Sequence, residues 1–373
     1  MNLAYRKTWR QLLVLSLLAG LVFLWGLSPG LVENLYAKLI YPVISVSLRT
    51  ISSLVPFPLG DVLYLLLISY VVYSLFIFGR KLYKKQVHKA EAWLAAMQAI
   101  RFTLILYIAF KLLWGLNYSR PSISHQLGIS NDRYSEKQLV KLTQLIIQKV
   151  NHLEKLRYTL PTSQRKKYSI DTLAARAKAS YDKLKQRQPF FDYRGPTAVK
   201  PVINSWMITK IGLEGYYNPL SGEANVNMLL PAVDLPFVTA HEIAHQLGVA
   251  REDEANLIGY LVATNSNDLN FQYSGYYAIL RNILFEIRLI APDQYEALYK
   301  SINPRTIADY KAGIAFWQKH NNQMFGYMSA TLDSFLKINN QHKGIDSYQD
   351  IVLWVYNIHQ EELKQFKDKT LQP

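Results

Sequence analysis

The sequence contains no cysteine. That excludes disulfide frameworks, thiolate metal sites, iron–sulfur clusters and cysteine nucleophiles together, so any metal must rest on His, Asp or Glu. Charge is sparse: Asp, Glu, Lys and Arg make up 18% of the 373 residues, whereas 50% are hydrophobic. Acidic residues are fewer than basic ones, 27 against 42, which leaves a formal net charge of +15. Such an excess can mark a nucleic-acid binder, but its distribution argues otherwise. Residues 1–116 carry 12 Lys/Arg against 3 Asp/Glu, and the remainder carries 30 against 24, with no basic run interleaved with exposed aromatics. The excess follows the hydrophobic segments, and no nucleic-acid partner is expected. Internal repeats and low-complexity stretches are also missing, and the length admits two domains.

Long apolar runs, by contrast, are present. Gln11 to Val32 is uncharged, Val62 to Gly79 is a second such run, and Met97 to Leu116 is a third that contains Arg101 and Lys111. A span needs about 20 apolar residues, so about three transmembrane helices are predicted. Arg6, Lys7 and Arg10 before the first run resemble a signal-peptide n-region, but no small-residue cleavage site follows cleanly. Leu35 to Pro56 is apolar yet broken by Lys38, Pro42 and Arg49, and such a stretch either lies in the interface or re-enters. Basic residues concentrate before the first span and between the second and third, at Arg80, Lys81, Lys84, Lys85 and Lys89. The positive-inside rule places both in the cytoplasm and everything after Tyr118 on the far side. The expected division is a membrane domain over 1–118 and an extracytoplasmic domain over 119–373, with membrane lipid as one partner.

The second part reads as mainly α with a small sheet. Ser135 to Leu156 and Asp171 to Lys185 repeat apolar residues every three or four positions, the first behind a Ser135 cap. Gly195 and Pro196 then introduce PVINSW and GYYNPLSGEANVNMLL, whose turn residues and alternation predict short strands. Helical patterns resume at Leu235 and continue through Ala278–Ile290, Pro292–Ser301, Ile307–His320, Met324–Ile338 and Tyr348–Lys367.

The segment TAHEIAHQLG carries His241, Glu242 and His245 in H-E-x-x-H spacing. On a helix, positions four apart share a face, so both imidazoles can reach one ion with Glu242 beside them. A catalytic zinc site needs a third protein ligand and an open fourth position. Directly downstream, AREDEANLIGYLVA offers Glu252, Asp253 and Glu254. Glu252 is the first choice because Asn256, four residues on, shares its face and can support a ligand from behind; Glu254 is the second. Gly248 can end the first helix and let the chain reverse. With Zn2+ bound, Glu242 is the expected general base for an attacking water. Tyr348, Tyr216 and Tyr217 are candidate oxyanion donors. Gly222 to Asn227 is a candidate sheet edge for an extended peptide, with Glu223 and Asn225 as possible substrate contacts.

His241-Glu242-Ile243-Ala244-His245, followed by Glu252-Asp253-Glu254-Ala255-Asn256, resembles the gluzincin class of zinc metallopeptidases. The gap between His245 and Glu252 is short for that class, and Asn256 stands where Asp is usual. Trp114 to Pro121, Gly222 to Asn227 and His241 to Gln246 together resemble an uncharacterised bacterial integral-membrane family, a domain of unknown function. The resemblance implies a multi-pass protein of the bacterial cytoplasmic membrane with a zincin-like α+β domain. The zinc motifs imply a metallopeptidase acting on a peptide or protein. The alternatives are a zinc amidase acting on cell-wall peptide and a non-catalytic, membrane-tethered binding protein with a zinc clamp. A transporter fits less well with so large a polar part, and intramembrane proteolysis fits less well with a motif flanked by Asp234 and Arg251.

Overall fold

The computed structural model describes residues 3–161, 163, 167–320 and 350–366. Four apolar helices come first: α1 (Leu3–Gly26), α2 (Pro29–Ser52), α3 (Leu59–Tyr83) and α4 (Lys89–Leu113). All four are long and apolar enough to cross a membrane. Hydropathy predicted α1, α3 and α4. α2 is the stretch that Lys38, Pro42 and Arg49 interrupt. It stays helical because a π-helical segment, Val32–Ile40, precedes Pro42, which stands in the first turn of the regular helix Tyr41–Ser52 where a missing N–H is tolerated.

Contacts at the helix ends orient the bundle. At one end the Tyr5 hydroxyl donates to the Ala90 carbonyl, and the Arg101 guanidinium donates to Gln11 Oε1 at 2.7 Å. At the other, Gly26 lies against Ser119 and Leu116. α3 begins on this same side, where the Glu223 carboxylate accepts from the N–H groups of Leu59 (2.9 Å) and Gly60 (2.7 Å). These are orphan donors of a helix N-terminus, and the carboxylate also complements its dipole. The basic residues near the N-terminus and in the α3–α4 loop therefore gather at the end of the bundle away from the polar part.

The polar part is mainly helical. α5 (Glu136–Thr159) starts at a capping box, with Ser135 N–H donating to Gln138 Oε1 at 2.7 Å and Gln138 N–H donating to Ser135 Oγ at 3.4 Å. α6 (Ile170–Lys185) and the short α7 (Ser205–Lys210) come next, then α8 (Leu235–Gln246), α9 (Glu252–Thr264), α10 (Leu269–Ile290), α11 (Pro292–Lys300), α12 (Pro304–His320), α13 (Asp350–Ile358) and α14 (Gln360–Gln365). Met324–Ile338 and Tyr348 lie outside the described residues. Every residue of α8 is buried, as expected for a helix without a polar outer face. α6, α9, α10 and the sheet surround it.

The sheet has three strands, β1 (Val199–Pro201), β2 (Gly215–Asn218) and β3 (Glu223–Val226), in the order β1-β3-β2. β3 runs parallel to β1 and antiparallel to β2. This corrects the expectation that Gly222–Asn227 forms a sheet edge. β3 is bonded on both sides, and the edges belong to β1 and β2. Alternation marked β3 as a strand but carried no information about its neighbours.

Candidate metal centre

The two histidines of α8 point the same way, with Nε2 atoms 3.2 Å apart. The turn after α8 fixes both the tautomer of His245 and the position of the third ligand group. Gly248, at φ +80°, occupies the left-handed region that glycine adopts freely. Its N–H donates to the His245 carbonyl (2.9 Å), and the Val249 N–H donates to that of Ala244 (3.3 Å), which is a Schellman termination. This geometry carries the Val249 carbonyl to 2.7 Å from His245 Nδ1. That nitrogen donates its proton there, leaving the Nε2 lone pair available to a metal. The chain then reverses through Leu247–Arg251 and starts α9 at Glu252.

Glu252 Oε2 lies 3.2 Å from His241 Nε2 and 3.8 Å from His245 Nε2. One ligand atom from each of His241, His245 and Glu252 fits within 4.8 Å of the others. Zinc bonds of about 2.0–2.1 Å in a tetrahedron place ligand atoms about 3.3 Å apart, so this donor set suits such an ion. Gly259 on α9 lets the two helices approach closely, since a Cβ there would meet the backbone of His241 at 3.3 Å. Glu254, the second-choice ligand, is engaged elsewhere: it accepts from the Ile123 N–H at 2.8 Å and pairs with Arg251 at 3.5 Å. Asp253 accepts from the Glu254 N–H at 2.9 Å. Asn256 is buried on α9, but among the described residues no hydrogen bond joins it to either histidine, and His241 Nδ1 has no partner.

The electrostatics are those of a cation site. Burial opposes charging His241, but the hydrogen-bonded Glu252 carboxylate, with the charges of Glu242 and Glu214, outweighs it and raises the pKa to about 9. Burial lowers His245 to about 4 despite the charge of Glu252. Glu242 is pushed up to about 8, first by burial and then by Glu252 and Glu214, against the opposing effect of His241. Among the described residues, Glu242 Oε2 is buried without a hydrogen-bond partner.

The chain matches, over residues 36–356, the profile of a family described as "Protein of unknown function (DUF3810)". It belongs to that family. No curated protein and no solved structure matches it. The matched stretch begins within α2 and ends within α13, so it takes in most of the helix beside the metal group and the group itself.

Other side chains of that stretch complete the site's surroundings. Tyr118, just beyond α4, is close enough to Glu252 that the carboxylate, added to burial, raises its phenol further above its ordinary range. The Trp114 indole donates to the His245 carbonyl at 3.3 Å. Arg120 pairs with Glu33 at 2.8 Å and donates to the Gly248 carbonyl at 3.0 Å. Gly215, on β2, lies against the expected base: a Cβ there would fall 2.5 Å from Glu242 Oε1 and 2.7 Å from the Asn225 carbonyl. Composition and spacing do not single out Tyr118, Glu214 or Gly215. The one usable signal was a glycine opening a short strand, which marks close backbone approach.

The expected substrate contacts are placed differently. Glu223 is fully buried, and its carboxylate accepts from Ser221 Oγ (2.8 Å) besides the two N–H groups of α3, so it holds a helix end and faces no substrate amine. Asn225 is buried with both amide atoms unpartnered among the described residues. The Tyr216 hydroxyl donates to Asp61, and Tyr217 packs on Trp114 at 5.2 Å. Tyr348 lies outside the described residues.

Proposed function

We propose that the protein is a membrane-anchored zinc metallopeptidase that cleaves peptide bonds in a peptide or protein substrate. The observation that carries this reading is the grouping of buried His241 and His245 with half-buried Glu252, beside a Glu242 oxygen that has no hydrogen-bond partner among the described residues. Zinc held by His241, His245 and Glu252 would supply a Lewis acid for the scissile carbonyl and acidify the attacking water, and its charge would favour the ionised form of Glu242. Glu242 then takes a proton from the attacking water and passes it to the leaving amine. Tyr118, near enough to Glu252 to feel its charge, is the candidate donor to a developing oxyanion. β2 is an edge strand whose Gly215 rests on Glu242, so an extended substrate pairing along it runs past the base.

The positive-inside rule places the basic end of the bundle in the cytoplasm. The metal group, at the opposite end of α4, then faces the periplasm or exterior of a bacterial cytoplasmic membrane. The test is Glu242→Gln in the full-length protein. Zinc content should stay stoichiometric while hydrolysis of a peptide library falls by about 10²–10⁴-fold. Unchanged turnover refutes the assigned base, and zinc without turnover in the unmodified chain would point instead to a non-catalytic clamp.

A further inference from the structure

α1, α3 and α4 each join the basic end of the bundle to the polar part. α2 does not. It begins at Pro29, just after α1 has ended beside Ser119, and it stops at Ser52, a short link before α3 starts on Glu223. Both of its ends are on one side. Along its length one stripe is fastened to the residues around the metal group. The Glu33–Arg120 pair (2.8 Å) is followed by the Tyr41 hydroxyl on the His245 carbonyl (3.1 Å), Ser45 Oγ on the Gln246 carbonyl (2.7 Å) and the Arg49 guanidinium on the Arg194 carbonyl (2.7 Å).

The opposite stripe is apolar and bare: Leu31, Leu35, Leu39, Val43 and Ile51 are between 47% and 65% exposed. A helix that crossed the bilayer in this attitude would carry the metal group and its polar supports into hydrocarbon. One lying flat, polar stripe on protein and apolar stripe down, has the form of an interfacial helix. A second patch continues the same surface. Ile203, Trp206 and Met207 are each about half exposed, at 49–58%. Ile203 is anchored at the start of α3, its N–H donating to Asp61 at 3.0 Å, and the Lys210 ammonium sits 4.0 Å from the Trp206 ring centre. Tryptophan and lysine beside the mouth of a span are the usual anchors at a membrane interface.

We infer that α2 lies along the outer bilayer surface rather than across it, and that its apolar stripe, with Ile203, Trp206 and Met207, seats the metal centre on lipid. Three helices then cross, and only the breadth of α2, about 10–12 Å, separates the metal ligands from the membrane. The occupant of the bare stripe is the boundary between headgroups and acyl chains, because the stripe is continuous with the ends of helices that enter it. The inference is independent of the peptidase reading, since depth is measured without catalysis.

The chain lacks cysteine, so single spin labels can be introduced without background. The positions are Leu31→Cys, Leu35→Cys, Leu39→Cys, Val43→Cys, Ile51→Cys and Met207→Cys, in full-length protein in phospholipid nanodiscs. Val72→Cys in α3 marks the bilayer interior and Gln186→Cys marks water. Collision with oxygen against a nickel chelate should place all six labels about 5–10 Å below the headgroup boundary. A depth maximum at Leu39, about 15 Å down with Leu31 and Ile51 in water, would mean that α2 crosses and would overturn the inference. So would nickel accessibility equal to that of Gln186→Cys, or protection from both reagents, as a second copy of the chain would give. Should a labelled chain fail to fold, quenching by brominated lipid, read as the difference between the unmodified protein and Trp206→Phe, tests the same contact. No difference there would count against it.

Discussion

At the scale of single residues, the chemistry turns on which groups hold protons before a metal arrives. His241 is held up to about 9, first against burial and then by Glu252, Glu242 and Glu214. A histidine must give up its extra proton to bind, so below that value each metal ion has to displace a proton from His241. Apparent zinc affinity should therefore rise with pH, by about tenfold per unit between pH 6 and 8 from His241 alone. A competition titration with a chromophoric chelator, corrected for the chelator's own protonation, measures it. A flat profile would mean that His241 is not a ligand or is not protonated in the free chain. Gly215 makes a second prediction. A methyl group there would press on Glu242 Oε1 and on the Asn225 carbonyl, at 2.5 and 2.7 Å, yet it touches none of the three ligands. Gly215→Ala should keep its zinc and lose about 10²-fold in turnover, the usual effect of misplacing a reacting group by about an ångström. Loss of zinc instead would show that β2 supports the ligands and not the base.

Among elements, the turn between α8 and α9 decides the most. It ends one ligand helix, orients His245 through the Val249 carbonyl and delivers Glu252. Alanine at Gly248 would adopt a left-handed conformation at a cost of about 1–2 kcal/mol. Its Cβ would also meet Asn117 Oδ1 at 2.7 Å and the Tyr41 ring at 2.9 Å. Gly128 also has positive φ, at +70°, but open space around it. Gly248→Ala should thus lower the unfolding midpoint clearly more than Gly128→Ala and weaken zinc binding, whereas equal shifts would mean that the packing around the turn is slack. Much of this region was legible in the sequence. The H-E-x-x-H spacing, Gly248 as a stop, Ser135 as a cap and the periodicity of α5 and α6 are local patterns, set within one or two turns of chain. The strands were less so, because segments of three or four residues are too short to reveal which one is central. α2 was obscured for a different reason. Glu33 and Arg49 break its hydropathy, and the groups that justify them, Arg120 and the Arg194 carbonyl, lie far along the chain.

For the whole molecule, the hydropathy boundary near Ser119 suggests a detachable outer domain, but the contacts tie the metal helix to the segments before that boundary. The last carbonyls of α8 have no partners within the helix and must find them elsewhere. His245 O accepts from Tyr41 and Trp114, at 3.1 and 3.3 Å, and Gln246 O accepts from Ser45 at 2.7 Å. All three donors precede Ser119. Arg120, which holds the Gly248 carbonyl, would lose Glu33, the carboxylate that fixes its guanidinium in place. A chain begun at Ser119 keeps His241, Glu242, His245 and Glu252, yet should bind zinc far more weakly than the full-length protein and unfold without a sharp transition. Zinc titration and thermal unfolding of the two chains side by side decide the matter. If the shortened chain binds one zinc at full affinity, the helices before Ser119 serve only as an anchor; if it does not, they are part of the metal site's own framework, and the membrane and the metal centre form a single structural unit.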